Sequence, residues 1–422
     1  MAATTTTDLN GLFKEVYASD LINLIPDESL LVKAIKFQGR EHLLGLTYNQ
    51  PVIVRSEQGF TYSRPDNGAF AISIPSSMKT RNASLGAFQI IENSGISYEA
   101  VSRSNNANSF KEATALVMQD AMESFGRRIE IALLYGQSAT GLGALASATG
   151  VSSTVTTLAF TTGQWSAGLW TPLEGASLDV YNSSGVALNT VGPMIVDSIN
   201  VTAKTINVSG ASADITAIDA ASAVTGGWVR FYSAGTNGAD EAVGLDKILT
   251  NTGTLFGIDA SVYSLWKANT YAVGSAALTF AKIQAGVAIA AQRGLSEDVS
   301  LYVNPSVWQE LSTEQVAFRM MDSSYSAKKS ANGFEALEFY SQNGKITVYA
   351  HKYVKEGDAF LIPTDRCVRI GSTEVSFNIP GTDNGTVFIQ NPSTAGFTFR
   401  LYSAQSLLVE KPASCVKFTG IV

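Results

Sequence analysis

The sequence predicts an α+β protein that carries an inserted antiparallel β-domain. One long segment around Phe125 repeats apolar residues at three- and four-residue steps, which is typical of an amphipathic helix. Between 150 and 240, short runs of alternating apolar and polar residues are separated by turn residues, which is typical of a small antiparallel barrel or sandwich. A chain of 422 residues is too long for one hydrophobic core, so we expect two or three packed units.

The chain is predicted to begin with an arm and to continue with an extended loop. Residues 1–42 contain one short amphipathic helix pattern, formed by Leu12, Phe13, Val16 and Tyr17. Residues 43–103 contain extended runs with turn signals near Gly59 and Gly68. Because an isolated hairpin is marginally stable in water, we expect this long loop to lie on a partner surface.

The strongest helix signal is SFKEATALVMQDAMESFGRRIEIALLYG. Ser109 and Glu112 have the spacing of a capping box, and Gly136 stands at the C-terminal cap position. The apolar stripe consists of Phe110, Ala113, Val117, Ala121, Phe125, Ile129 and Leu133. This pattern predicts a spine helix of about 26 residues, roughly 40 Å long.

After the insertion the pattern returns to mixed α/β character. We predict a helix in TFAKIQAGVAIAAQRG that ends at Gly294, a strand in DVSLYVN, and a helix that begins after Asn304. The segment KITVYAHKYVKEGDAFLIP is predicted to be a hairpin with its turn near Gly357. The end of the chain, FTFRLYSAQSLLVEKPASCVKFTGIV, has the composition of strands.

Composition excludes several classes of protein. The formal charge is −7, and no cluster of lysine and arginine is long enough for tight, sequence-specific nucleic-acid binding. Charged residues are only 15% of the chain, which suits burial against other copies. Cys367 and Cys415 are too few for a disulfide framework and are predicted to be buried free thiols. The sequence contains neither a secretory signal nor a run long enough to span a membrane.

No catalytic, cofactor-binding or metal-binding residue is predicted. The two histidines, His42 and His351, lie in different predicted units, and the motifs of serine hydrolases, P-loop proteins and zinc proteases are absent from the sequence. The segment that begins at Asp383 lacks the spaced ligands of a calcium loop and is predicted to be a turn. Most of the five tryptophans are predicted to anchor the core, and a minority are predicted to lie at subunit interfaces.

The order of these parts resembles the Hong Kong 97-like fold of tailed-phage major capsid proteins. The similar segments are the spine helix, GLDKIL after the insertion, LYVNPSVWQEL, GKITVYAHKYVKEGDAFLIP and the ending RLYSAQSLLVEKPASCVKFTGI. The resemblance covers nearly the whole chain and rests on architecture rather than on one diagnostic motif. It implies an extended loop that lies across the neighbouring subunit, and a chain that is not an enzyme.

The resemblance also divides the chain into units with the names that this family uses. They are the N-terminal arm (1–42), the extended loop and return strand (43–103), the spine helix and peripheral domain (104–149), the inserted β-rich domain (150–240), the axial domain (241–375) and the C-terminal strands that return to the peripheral domain (376–422).

Charged residues in the loop and on the spine helix are the candidates for contacts between subunits. They are Arg55, Glu57, Arg64, Asp66, Lys79, Arg81, Arg127 and Arg128. The alternative for the loop is a solvated hairpin with scattered charges. The alternative for Arg127, Arg128 and Glu130 is a solvated helix face. Some members of the family join subunits through a lysine-asparagine bond, and Lys79 is the one lysine of the loop.

The resemblance implies a structural protein whose copies assemble as hexamers and pentamers into an icosahedral head around double-stranded DNA. Its implied partners are a separate scaffolding protein, a portal and a decoration protein, with no sequence-specific DNA binding and no membrane. The implied location is the virion capsid, assembled in the host cytoplasm. Two alternatives remain open: an encapsulin-type shell that encloses an enzyme cargo, and a β-rich enzyme or secreted adhesin.

Overall fold

The computed structural model describes residues 29–39, 47–104, 113–220, 222–320, 337–342, 344–377, 387–390 and 395–422. Four predictions lie outside these residues: the helix pattern at Leu12, the capping box at Ser109, the turn at Asp383 and the position of His42.

The helices in chain order are α1 (Leu30–Ala34), α2 (Tyr98–Ser104), α3 (Ala113–Tyr135), α4 (Ala167–Trp170), α5 (Ser212–Ile218), α6 (Leu245–Thr250), α7 (Phe280–Ala291) and α8 (Pro305–Met320). The strands are β1 (Phe37–Gly39), β2 (Thr47–Arg55), β3 (Lys79–Gly86), β4 (Phe88–Ser97), β5 (Gly143–Ser152), β6 (Val155–Phe160), β7 (Ser177–Tyr181), β8 (Met194–Asn200), β9 (Thr205–Ser209), β10 (Trp228–Phe231), β11 (Thr254–Leu255), β12 (Ile258–Asp259), β13 (Asn269–Ala276), β14 (Val299–Val303), β15 (Leu337–Ser341), β16 (Gly344–Ala350), β17 (Asp358–Ile362), β18 (Cys367–Ser376), β19 (Ile389–Gln390), β20 (Gly396–Val409) and β21 (Val416–Ile421).

The predicted spine helix is α3. Its apolar stripe faces the core, because Phe125, Ile129 and Leu133 are all buried. The helix ends at Tyr135, and Gly136 stands at the predicted cap position. The left-handed residue, however, is Gln137, with φ 53°. Gly136 has a different role, since a Cβ there would lie 1.9 Å from a carbonyl oxygen of the segment that returns from the insertion.

A five-stranded sheet packs against the spine helix. Its main path is β1-β18-β20-β19, and β4 also pairs with β20. The short strand β1 runs parallel to β18, whereas the other pairs are antiparallel. The predicted C-terminal strand is β20, whose 14 residues are mostly buried and lie at the centre of this sheet.

A second, six-stranded sheet has the order β13-β21-β17-β14-β16-β15. The strand β14 and the helices α7 and α8 lie where the sequence predicts them. The hairpin predicted for KITVYAHKYVKEGDAFLIP is wrong, because β14 lies between β16 and β17. β14 pairs with β16 in parallel and with β17 antiparallel, so the segment between the latter two crosses over the end of the sheet. The apolar residues of β16 and β17 predict two strands but do not predict which strand each one pairs with.

A third sheet is antiparallel and has the order β10-β7-β8-β9-β6-β5. Backbone N–H groups of Leu142 and Leu145 donate to the carbonyls of Val229 and Gly227, each at 2.8 Å, and join the two outer strands. The strands span 143 to 231, whereas the insertion was predicted over 150–240. Buried side chains of this sheet, such as Leu158 and Leu178, belong to the same core cluster as Phe125 of the spine. That the sheet is a separate inserted domain remains a prediction.

Candidate subunit interface

The extended loop contains a two-stranded hairpin, β2 and β3, whose base rests on the body of the chain. Ala83 and Leu85 are buried in a small cluster with Trp266 and Ile370. Along β2, half-buried and exposed residues alternate, as expected for a ribbon with one covered face. The body therefore fixes the direction in which the hairpin projects.

The tip of the hairpin, residues 56–78, is mostly exposed and carries several large apolar side chains. Tyr62 is 92% exposed and Ile74 is 90% exposed. The exposed large apolar residues of the tip are Phe60, Tyr62, Phe70, Ile72, Ile74 and Met78. Several exposed large apolar side chains in one segment are typical of a surface that contacts another molecule. These apolar side chains are not among the predicted contact residues, which are all charged.

The six predicted contact residues of the loop are all exposed. Arg55 and Lys79 are register partners at the end of the ribbon next to the tip. Arg81 donates from Nε to the Tyr263 hydroxyl at 3.4 Å, and Arg81 and Lys79 hold the pKa of Tyr263 below its usual value. Among the described residues, none of the six belongs to an ion pair. Their role in subunit contacts remains a prediction.

The residues predicted on the spine helix lie in a different environment. The solvated-face alternative is wrong for Arg127 and Glu130, which are 6% and 0% exposed, because this side of α3 is covered by the rest of the chain. The guanidinium carbon of Arg128 lies 3.3 Å from the centroid of the Phe231 ring. Burial lowers the pKa of Arg128 to about 10, although Glu241 and Glu92 act in the opposite direction.

Glu130 anchors the short helix α1, a role that the sequence analysis missed. Its Oε1 accepts from the backbone N–H of Leu31 at 2.6 Å, and its Oε2 accepts from that of Val32 at 2.9 Å. Oε1 also lies 2.8 Å from Nε2 of His351. The Nδ1 of His351 accepts from the backbone N–H of Tyr353 at 3.2 Å, so Nε2 carries the proton and donates to Glu130.

Arg369 holds the other end of α1. It donates from Nε to the carbonyl of Ile35 at 3.0 Å and from Nη2 to the carbonyl of Val32 at 2.9 Å. A carboxylate at the N-terminus and a guanidinium at the C-terminus both match the helix dipole. A helix of five residues is not stable alone, so this clamp and the buried side chains hold it.

A second buried charged cluster joins the end of the spine helix to the six-stranded mixed sheet. Asp246 binds Lys417 and accepts from the hydroxyl of Ser138 at 2.5 Å, and Lys417 lies 3.3 Å from Asp358. Lys355 donates to the carbonyl of Gly141 at 3.0 Å. Burial lowers the pKa of Lys355 to about 8 and raises the pKa of Asp358. Burial also acts to raise the pKa of Asp246, but Lys417 and Lys355 outweigh it and lower that pKa.

The described residues contain no group of three or more histidine, cysteine or acidic residues that could hold a metal ion. Both cysteines are buried and free, as predicted. Burial raises the pKa of both thiols, to about 12 for Cys415, so they are poor nucleophiles. None of the described helices is long and apolar enough to cross a membrane.

Solved capsid structures share the fold of this chain. A chain from the capsid asymmetric unit of Cyanophage A-1(L) is similar over 99% of this chain and 99% of its own length, with a TM-score of 0.59 and 12% sequence identity. A chain from the capsid of the empty GTA particle is similar over 100% of both chains, with a TM-score of 0.51 and 10% identity. The mixed α/β fold therefore matches phage capsid folds of the Hong Kong type, as predicted.

A chain of the holo-SrpI encapsulin complex from Synechococcus elongatus is also similar over 100% of this chain and 96% of its own length. Its TM-score is 0.44 and its identity 8%, which is too low to support a conclusion about this chain. No protein-family model and no curated protein sequence match the chain.

Proposed function

We propose that this chain is a major capsid protein of a tailed bacteriophage, a structural subunit whose copies assemble into the icosahedral head. The observation that carries the proposal is the similarity of fold to the cyanophage capsid chain over 99% of both chains. A match over 99% of the chain spans the parts on which assembly would depend, namely the spine helix, the long hairpin and the three large sheets.

The exposed apolar tip of the hairpin supports the same proposal. One chain leaves Tyr62, Ile72 and Ile74 in water, whereas repeated copies could cover the tip of each subunit with the body of the next. Such head-to-tail contacts close into rings, which suits hexamers and pentamers. The charged residues of the loop would then lie at the rim of the contact, where their effect is on specificity more than on affinity.

The proposal includes the surroundings of the shell. The head encloses double-stranded DNA without sequence-specific contacts, and assembly takes place in the host cytoplasm with a separate scaffolding protein, a portal and a decoration protein. The net charge of −7 supports the absence of strong DNA contacts, since a wall that does not bind phosphates strongly allows DNA to enter and leave. The proposed layout has the spine helix in a peripheral domain, the mixed sheet in an axial domain and the antiparallel sheet as an insertion.

Electron microscopy of the full chain, produced with and without the structural proteins encoded beside it, tests the proposal. We expect closed particles of tens of nanometres. Particles purified from their natural source should contain DNA. Particles that contain a protein cargo would indicate the encapsulin alternative. A chain that stays monomeric under all of these conditions would contradict both.

A further inference from the structure

Two Asn-Gly pairs lie wholly within the described residues, and their surroundings differ. Asn67-Gly68 belongs to the hairpin tip, and Asn237-Gly238 belongs to the segment 232–244, which returns from the antiparallel sheet to α6. Both pairs are followed by alanine, so their local sequences are closely matched. In such a pair the backbone nitrogen of the glycine can attack the Cγ of the asparagine, because glycine has no side chain to obstruct the approach. The folded structure therefore decides whether each asparagine can lose its side-chain amide.

The structure leaves both reacting groups of Asn67-Gly68 accessible. Both residues are exposed, and a Cβ on Gly68 would meet no atom within 4 Å. The Nδ2 of Asn67 donates to the Ser63 hydroxyl at 3.4 Å, which is long for a hydrogen bond. Asn67 ends the short turn Pro65–Asn67, which is closed by a hydrogen bond from its N–H to the carbonyl of Arg64 at 3.1 Å. The N–H of Gly68 makes no well-formed backbone hydrogen bond within the described chain, so little has to be broken before its nitrogen can reach the Cγ of Asn67.

The corresponding groups of Asn237-Gly238 are held in other contacts. The Oδ1 of Asn237 accepts from Nε1 of Trp228 at 3.0 Å and from Nε of Arg230 at 3.3 Å. Gly238 is buried, and its N–H donates to the carbonyl of Gly235 at 3.1 Å. A Cβ on Gly238 would lie 2.6 Å from Nη1 of Arg230. The attack at this pair would therefore require the side chain and the backbone to leave their hydrogen bonds together, which costs free energy.

We propose that Asn67 is a site of spontaneous deamidation in the folded chain, and that Asn237 is protected by its contacts. The backbone nitrogen of Gly68 forms a bond to the Cγ of Asn67 while the bond from Cγ to Nδ2 breaks. The side-chain nitrogen leaves as ammonia and takes the amide proton of Gly68. Water then opens the resulting succinimide ring at one of its two carbonyls, and the product is aspartate or isoaspartate. The sequence of steps consumes one water and needs neither an oxidant nor a reductant.

The reaction would change both the charge and the backbone of the hairpin tip. Residues 56–78 carry Arg64 against Glu57 and Asp66, so a carboxylate at Asn67 adds to an existing excess of negative charge. Isoaspartate also lengthens the backbone by one carbon atom, next to the exposed side chain of Phe70. The inference goes beyond the proposed function and does not depend on it, because it concerns the single chain.

Peptide mapping of the purified, unassembled full chain, aged near neutral pH, tests the proposal. Proteolysis in mildly acidic buffer, where the reaction is slow, followed by mass spectrometry measures the conversion at each asparagine separately. We expect Asn67 to convert several-fold faster than Asn237, its matched control, and to give isoaspartate as well as aspartate. The rate at Asn67 should rise with pH, because the attack requires loss of the amide proton of Gly68.

A second arm ages the same chain in denaturant, where neither pair keeps its contacts. There we expect Asn67 and Asn237 to convert at similar rates, because the fold is what distinguishes them. Equal rates in the folded chain, or a difference that persists unchanged after unfolding, would contradict the proposal.

The variant Asn67→Ser gives an independent readout in the folded chain. Isoelectric focusing should show that acidic species form more slowly in this variant than in the wild type, since all other asparagines are common to both. Acidic species that form at the wild-type rate would show that Asn67 is not a site of the reaction.

Discussion

Several charged residues of this chain are buried and hold distant segments together. Glu130 and Arg369 bind the two ends of α1, and Asp246, Lys355 and Lys417 join the spine helix to the mixed sheet. A buried charge is tolerated when its hydrogen bonds are satisfied, and removing one partner leaves the other unpaired at a cost. These residues therefore define which parts of the chain must stay together.

The variant Glu130→Gln should destabilise the subunit. The amide retains one acceptor but leaves one buried backbone N–H of α1 without its partner, so we expect a loss of about 1–3 kcal/mol in the free energy of unfolding. Denaturant unfolding measures this loss, and hydrogen exchange at 31–35 should accelerate. The control Asp120→Asn alters an exposed carboxylate of the same helix and should change stability by less than about 0.5 kcal/mol. Equal effects of the two variants would contradict the clamp.

Lys355 should make stability depend on pH in an unusual direction. Its pKa in the folded chain is about 8, below the ordinary value of 10.5, so the unfolded chain binds more protons between these values. The buried charge of Lys355 therefore lowers the free energy of unfolding below pH 8. This destabilisation disappears as the pH rises to 10.5. The free energy of unfolding of the wild type, minus that of Lys355→Met, should rise by about 3 kcal/mol across this window.

Denaturant titrations of both proteins at several pH values measure this difference. Tyrosines and cysteines with raised pKa values are present in both, so their own titrations cancel. A difference that stays flat from pH 8 to pH 10.5 would show that Lys355 is not desolvated as described.

At the scale of elements, the hairpin consists of a base that packs on the body and an exposed tip. Ala83 and Leu85 belong to a core cluster, whereas the residues between Arg55 and Lys79 have no such support. Because Arg55 and Lys79 are register partners, a short turn can join them without altering the paired strands.

Replacing residues 56–78 with Asn-Gly should give a folded subunit that cannot form closed particles. The far-ultraviolet circular dichroism should match the wild type apart from the lost segment, and electron microscopy should show no shells. A companion variant replaces only Glu57, Arg64 and Asp66 with serine and keeps the apolar residues. If this companion assembles, the apolar side chains carry the contact. If the variant with the shortened hairpin forms normal shells, the tip is not required for assembly.

At the scale of the whole molecule, the largest core cluster of the described residues links the spine helix, the five-stranded sheet and the antiparallel sheet. Phe125, Leu158 and Leu407 belong to one cluster, although they come from three different elements. The mixed sheet has its own cluster around Leu301 and Phe418. None of the tip residues 56–78 belongs to either cluster.

Purified subunits should not bind double-stranded DNA appreciably at physiological salt. The net charge is −7, and strong binding requires many lysine or arginine contacts to phosphates. Electrophoretic mobility of DNA fragments of different sequence measures this. Tight binding that weakens steeply with salt would contradict this prediction and would indicate a local basic surface on a chain of acidic net charge.

Local patterns in the sequence by themselves determined the helices and strands whose periodicity and caps lie within the element. The apolar stripe predicted α3, and β-branched runs and caps predicted β14, α7 and α8, because periodicity and capping act over a few residues. Only the tertiary structure decided what lies next to what. In the tertiary structure, β14 lies between β16 and β17, and Gly136 is a point of close backbone approach. Glu130 is buried against α1, where its hydrogen-bond partner Val32 lies 98 residues earlier in the chain. Strand order and buried charge pairs depend on residues distant in sequence. The exposure of the hairpin tip, likewise, follows only from the tertiary structure, because it depends on which residues of the rest of the chain cover it.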